Sequence, residues 1–419
     1  MKSSVICLVE LWFSYGETEV PIRIPDENLL GIIKENERKP AGDLEIKFSK
    51  ALEKLESLIN AEKKIAVIGS SSTRPSINQT MLRRIIQTFD RIKINPEKAT
   101  FILGQSLFED YNVDNVSTLS KDTEGKMKFV VHDWNSTDLV HLGKTSLRTE
   151  VYFNKNLAEA DVRILITETR LHPFLGYLGV NIALSVAGTK TIQGAFSQLT
   201  SEDAGAGKSD GNPVYRDSVE ITDLAKIDFA LNVVADAEGN IIEVFAGPPM
   251  EAFLQSIKLV DEIYRVPVEK MGDIAVVSAG GSPYDKSLYQ ALDAANMVSK
   301  ILKDNGIIIL IAECPEGYGN NSFYDWTIKL KSINDLRDEI KRRFAFGGQQ
   351  AYFLANTLDR IKIILVSTMP EYYSTGVFKL NTAKTANDAL RTALRRLGKT
   401  SMIWVVNNGS FTLPMLKKP

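Results

Sequence analysis

The sequence predicts an α/β protein with two α/β domains, each a mainly parallel sheet flanked by helices, and a cleft between them. Three observations predict it. Short β-branched runs alternate with longer helical patterns, as in strand–helix–strand units. The alternation stops at the polar, proline-bearing VPVEKMGD and then restarts. A chain of 419 residues also exceeds one ordinary core.

The elements follow in order. Alternation through Val5, Cys7, Val9 and Leu11, then SYGET, then VPIRI, reads as a β-hairpin. The apolar stretch here is short and carries Glu10, which argues against a signal peptide. IAVIG, ATFILG, KFVVHD and VRILITE read as strands of the first domain. FSKALEKLESLI and MLRRIIQTFDRI carry apolar residues at helical spacing between them. DFALNVVADAEGNIIEVFAG reads as two strands around a DAEGN turn, an antiparallel hairpin at the sheet edge. AFLQSIKLVDEIYR closes the first domain as a helix. The expected boundaries are 1–265 for that domain, 266–272 for a linker and 273–419 for the C-terminal domain. In the latter, DIAVVSAGG, GIIILIAEC, DRIKIILVST and TSMIWVVNN read as strands and SLYQALDAANMVSKIL as a helix.

Composition limits the function. Fifty basic residues against 52 acidic ones leave no net field for nucleic acid or an anionic membrane. No run approaches the length of a membrane span. Cys7 and Cys314 form no C-x-x-C pair, which argues against a disulfide framework or zinc knuckle and fits a reducing cytoplasm. A small anionic molecule is the expected partner.

In open α/β sheets, ligands bind beyond the carboxyl ends of the strands. The segments there are SSSTRP, GQS, HDW, TETRLH, SAGGSP and AECPEGYG. His132 and His172 each follow an apolar run, as acid/base catalysts or as buried structural residues. Asp133 orients a neighbour or caps a turn. Arg74 grips a carboxylate bidentately or forms an ion pair. Gly280-Gly281 leads from a strand into a helix start, as an anion contact or as a plain tight turn. His141, Lys144 and Lys190 read as structural or solvated. AGAGKSDGN has Glu202 where a P-loop needs glycine, and no buried strand precedes it, so it reads as a mobile surface loop.

Eight segments, in order, resemble the nickel-dependent lactate racemases: YGETEVPIRIPDENL, the strand followed by TRP, VVHDWNSTDLVHLGKTSLRTEVYFNKNLAEADVRI, LHPFLGYLG, GNPVYRD, DFALNVVADAEGNIIEVFAG, VVSAGGSPYDKSLYQA and AECPEGYG. The resemblance implies two α/β domains around a cleft and interconversion of the stereoisomers of a 2-hydroxy acid. It implies a nickel-bearing pyridinium nucleotide that takes hydride, and two histidines that trade the hydroxyl proton. A pair is needed because each enantiomer requires its own base. His132 and His172 match that pair, Arg74 and Gln290 match substrate contacts, and Gly280 and Gly281 would line the cleft.

Other positions depart from the family pattern. The cofactor-anchoring lysine of H-x-x-x-G-F-S-G-G-x-K is Ile182, and no histidine follows His172 to bind nickel. Ser71 replaces an aspartate, Asp293 replaces a substrate lysine, and GQSLF replaces a GTHR-like strand end. Neither nickel nor nucleotide is therefore assigned. Three readings stay open: a diverged racemase or epimerase, a catalytically silent paralogue that binds a small acid or a partner protein, and an isomerase or lyase with a metal on Asp133 and Glu168.

Overall fold

The computed structural model describes residues 7–40, 42–105, 113–329 and 332–417, with side chains of 113–115 left aside. Val5 and most of GQSLF lie outside the described residues. The chain forms two compact units. One comprises residues 37–262 and 341–344, the other residues 1–36, 263–340 and 345–419.

The first unit is built on a six-stranded sheet in the order Ile241–Gly247, Phe229–Ala235, Val162–Glu168, Ile65–Ser70, Ala99–Gly104, Lys128–Val131. All neighbours run parallel except the first pair, the expected antiparallel edge hairpin. Alternate residues of the inner strands, such as Val67, Phe101, Ile164 and Leu231, join a core with the helices Leu44–Glu56 and Pro75–Arg91. The opposite face packs against the wholly buried 3-10 segment Val180–Val186 and the helix Pro213–Leu224 behind it. The chain starts this sheet at Ile65–Ser70, moves to one side through two strands, then returns to the other side. Ile65–Ser70 is thus the switch point, and ligand chemistry is expected past its end and those of its neighbours.

The second unit holds a six-stranded, fully parallel sheet: Asn381–Ala383, Lys362–Val366, Leu302–Ile311, Gly272–Ser278, Ile403–Val406, Leu29–Ile33. The N-terminal hairpin forms as expected, with Leu8–Tyr15 antiparallel to Thr18–Pro25. Its inward residues Phe13, Ile22 and Ile24 belong to this unit's core. That corrects the expected domain over 1–265. Residues up to Asn36 fold with the C-terminal half, because Leu29–Ile33 pairs with Ile403–Val406 and extends that sheet by an edge strand. The chain passes between units near residues 36, 262, 340 and 344 rather than once at 266–272. Among the described residues, no helix is long and apolar enough to cross a membrane.

Candidate functional site

The sequence-predicted residues divide between the units. Arg74, His132 and His172 belong to the first, and Gly280, Gly281 and Gln290 to the second.

Arg74 follows the switch-point strand and precedes the helix Pro75–Arg91. Its guanidinium forks onto Glu168, at the end of the adjacent strand, with Nε 3.1 Å and Nη2 2.5 Å from the two carboxylate oxygens. Nη1 donates to the carbonyls of Asp236 and Ala237 at 2.6 and 3.2 Å. With side chains 13% and 2% exposed, this is a buried ion pair tying two strand ends to the edge hairpin. Arg74 is thereby a structural clamp in this arrangement, and Glu168 is occupied by it. Asp133 is exposed and accepts from the Asn135 amide at 2.9 Å, capping a turn. No group of three metal-ligating side chains occurs among the described residues.

His132 lies just past the edge strand Lys128–Val131, 1% exposed. Its backbone N–H continues the sheet by donating to Leu103 at 2.9 Å. The Asn154 carboxamide fixes the ring. Its Oδ1 accepts the Asn156 backbone N–H at 2.9 Å, so its Nδ2 must be the atom facing His132 Nδ1, 3.0 Å away. Nδ1 therefore accepts, the proton sits on Nε2, and Nε2–H donates to the Ala187 carbonyl at 3.0 Å. Burial lowers the pKa, against smaller raising effects from that carbonyl and from Asp133, and keeps the ring neutral.

His172 ends the short strand Arg170–His172, which pairs with Gly176–Leu178 so that His172 faces Gly176. It is 5% exposed. Nδ1 accepts from the backbone N–H groups of Leu175 and Phe174 at 3.2 and 3.4 Å, again placing the proton on Nε2. Burial, aided by the Arg170 charge, holds its pKa well below the ordinary value. These two hydrogen bonds are longer than the 3.0 Å contacts of His132.

The loop AGAGKSDGN is not a mobile excursion. The Gly207 N–H donates to the Gly176 carbonyl at 3.0 Å, and the Asn212 amide donates to Phe174 at 2.9 Å. Gly176 adopts φ +83°, and a Cβ there would lie 2.1 Å from the Lys208 carbonyl oxygen. The loop thus supports the His172 turn, a role invisible to motif matching.

Ile182, at the family's lysine position, is 1% exposed within the buried Val180–Val186 segment. It offers no amine, and no histidine follows His172. The residues present do not fit a covalently tethered nickel nucleotide.

In the second unit, Gly281 adopts φ +72°, and a Cβ there would meet the Gly16 carbonyl at 2.9 Å. Ser282 N–H donates to that same carbonyl at 2.9 Å, and Ser278 Oγ donates to Ser14 at 2.6 Å. The Gly280-Gly281 turn therefore locks the N-terminal hairpin tip to the sheet end. Gln290 occupies the third position of the helix Leu288–Val298, where its backbone N–H donates to the N-cap Ser287 Oγ at 3.4 Å and the Ser287 hydroxyl lies 3.3 Å from Gln290 Oε1, to which it donates. Sequence reasoning missed Asn154, whose only signal was its place before a short helix.

Two family models match the chain: the lactate racemase N-terminal domain over residues 15–207 and the lactate racemase C-terminal domain over residues 268–412. A lactate racemase of Thermoanaerobacterium thermosaccharolyticum is 28% identical over 94% of this chain and 96% of its own. One from Lactiplantibacillus plantarum is 26% identical over 96% and 99%. The solved structure of the T. thermosaccharolyticum lactate racemase apoprotein superposes with a TM-score of 0.87 at 25% identity, covering 98% of this chain and all of that one. A Thermotoga maritima protein shares the fold, with a TM-score of 0.68 at 16% identity. With the same two-domain architecture and both domain models matched in order, the chain belongs to the lactate racemase family.

Proposed function

We propose that this protein is a racemase or epimerase of a small 2-hydroxy acid or sugar acid, with His132 and His172 as its acid/base pair. The observation that carries the reading is the burial of two neutral imidazoles beyond strand ends of one sheet, His132 just past Lys128–Val131 and His172 in the short hairpin that follows Val162–Glu168, the edge where such folds do chemistry. With isoleucine at the tether position, a cofactor would have to bind noncovalently or the step is a proton relay, and the relay is the step proposed. One imidazole takes the proton from the carbon bearing the hydroxyl, leaving an enediolate, and the other delivers a proton to the opposite face. Each ring must exchange a protein partner for substrate.

A specific observation favours a second reading, a silent protein that binds an acid without turning it over. Both Nδ1 lone pairs already accept protein N–H groups, and the tether position is filled by a buried isoleucine. Chiral chromatography after incubation with enantiopure lactate, and with a pair of C2-epimeric sugar acids, separates the two. Appearance of the opposite configuration supports the racemase reading. Saturable binding with configuration unchanged in every acid replaces it by the silent one.

A further inference from the structure

We infer that Arg170 holds the carboxylate of the hydroxy acid beside His172 and stabilises the charge that gathers there when the proton leaves. This rests on the reading above that His172 is one of an acid/base pair. Arg170 opens the short strand Arg170–His172, two residues ahead of the histidine. Successive side chains of a strand point to opposite sides, so Arg170 and His172 share one side of their hairpin with Gly176–Leu178, about 7 Å apart along the backbone. Arg170 is partly exposed whereas Leu171 and His172 are buried, so it is the end of this strand that solvent reaches. Its Nη2 donates at 3.2 Å to the carbonyl of Ser72, in the loop after the switch-point strand Ile65–Ser70. Arg170 thus spans the ends of two neighbouring parallel strands, all within the first unit. Among the described residues no carboxylate pairs with it, and its Nε and Nη1 make no hydrogen bond.

A proton relay makes a demand that two imidazoles alone do not meet. When the proton leaves the carbon bearing the hydroxyl, its bonding pair enters the bond to the carboxylate carbon, and a second negative charge gathers on the carboxylate oxygens. Donors already aimed at those oxygens lower that barrier. The carboxylate is one bond from the reacting carbon, so the group that grips it must stand next to the base. Arg74 does not serve, because Glu168 holds its fork. Arg170 does, since a guanidinium grips a carboxylate through two parallel N–H donors and stays charged throughout. The same charge already acts on His172, second to burial in holding its pKa down. A bound carboxylate offsets that charge, so arrival of the acid makes the imidazole a stronger base.

Isothermal titration calorimetry on the full chain tests this with racemic glycerate, which is both a 2-hydroxy acid and a small sugar acid, and with its neutral amide. Racemic probes give no net heat of inversion. Glycerate is expected to bind at least about tenfold tighter than the amide. Arg170→Gln should weaken glycerate about tenfold or more and leave the amide within about twofold. Arg170→Lys, which keeps the charge without the fork, should recover part of the loss. Thermal unfolding confirms that each variant folds. If Arg170→Gln does not fold, Arg170→Lys carries the comparison, with a loss of about threefold or more expected for glycerate alone. Glycerate affinity unchanged in the folded variant, an equal loss for both probes, or no saturable binding of glycerate would overturn the inference. The two readings fail separately. Glycerate held through Arg170 without inversion keeps this inference and removes the racemase. Inversion with kcat and KM unchanged in Arg170→Gln keeps the racemase and removes this inference.

Discussion

At the residue scale, three side chains carry the account: Asn154, Arg74 and His172. Asn154 sets the His132 tautomer by donating to Nδ1. Asn154→Asp replaces that donor by an acceptor, so Nδ1 must carry a proton and the imidazolium gains a counter-charge. The His132 pKa should move from below its ordinary value to above it, read from the imidazole resonances in an NMR titration. Arg74→Ala leaves Glu168 charged and buried, 2% exposed, without its fork. The expected loss of stability is about 3–5 kcal/mol, measurable by urea unfolding. Both histidines have folded-state pKa values depressed by burial, so unfolding takes up protons in acid. Their contribution to stability is complete above the unfolded value of about 6.5 and is lost as pH falls below it. Urea midpoints should fall as the buffer is taken from about pH 7.5 to 5, and His172→Gln should flatten that slope.

At the scale of elements, the hairpin Arg170–His172 with Gly176–Leu178 is the piece that presents His172. Gly176→Ala should distort it, because the left-handed φ and the Lys208 carbonyl at 2.1 Å leave no room for a methyl group. A destabilisation of about 2 kcal/mol or more is expected in thermal unfolding. Most elements were legible in the sequence, because strands such as Val162–Glu168 are β-branched runs bounded by turn residues. The edge hairpin was legible from DAEGN, and the N-terminal hairpin from its alternation. The short strand Leu29–Ile33 was not, because its partner Ile403–Val406 lies at the far end of the chain and no local pattern announces that pairing. The two histidines were legible as residues at strand ends. Their engagement was not, because Asn154 and Ala187 reach His132 from distant segments. Arg74 showed the reverse case. Its bidentate capability was apparent, but the Glu168 that claims it lies 94 residues along the chain.

At the scale of the whole molecule, residues 1–36 fold with the C-terminal half. A fragment starting at Ile263 and ending at Pro419 therefore lacks an edge strand and the hairpin residues Phe13, Ile22 and Ile24 of its core. It should aggregate or fail to give a cooperative transition. Joining residues 1–36 to it through a flexible linker should restore one, as read by circular dichroism on heating. The family supplies the two-unit frame, Ile182 is packed at the position where the resemblance places the cofactor anchor, and the proposed function gives the proton handling to the two buried imidazoles.

The most direct test of that claim is deuterium incorporation at the carbon bearing the hydroxyl, followed by NMR in D2O with an enantiopure sugar acid and with enantiopure lactate. The account predicts that inversion brings solvent deuterium onto that carbon, and that His132→Gln and His172→Gln each abolish both inversion and exchange. Inversion in which the product keeps the substrate's own hydrogen, or exchange that survives loss of both histidines, would contradict it.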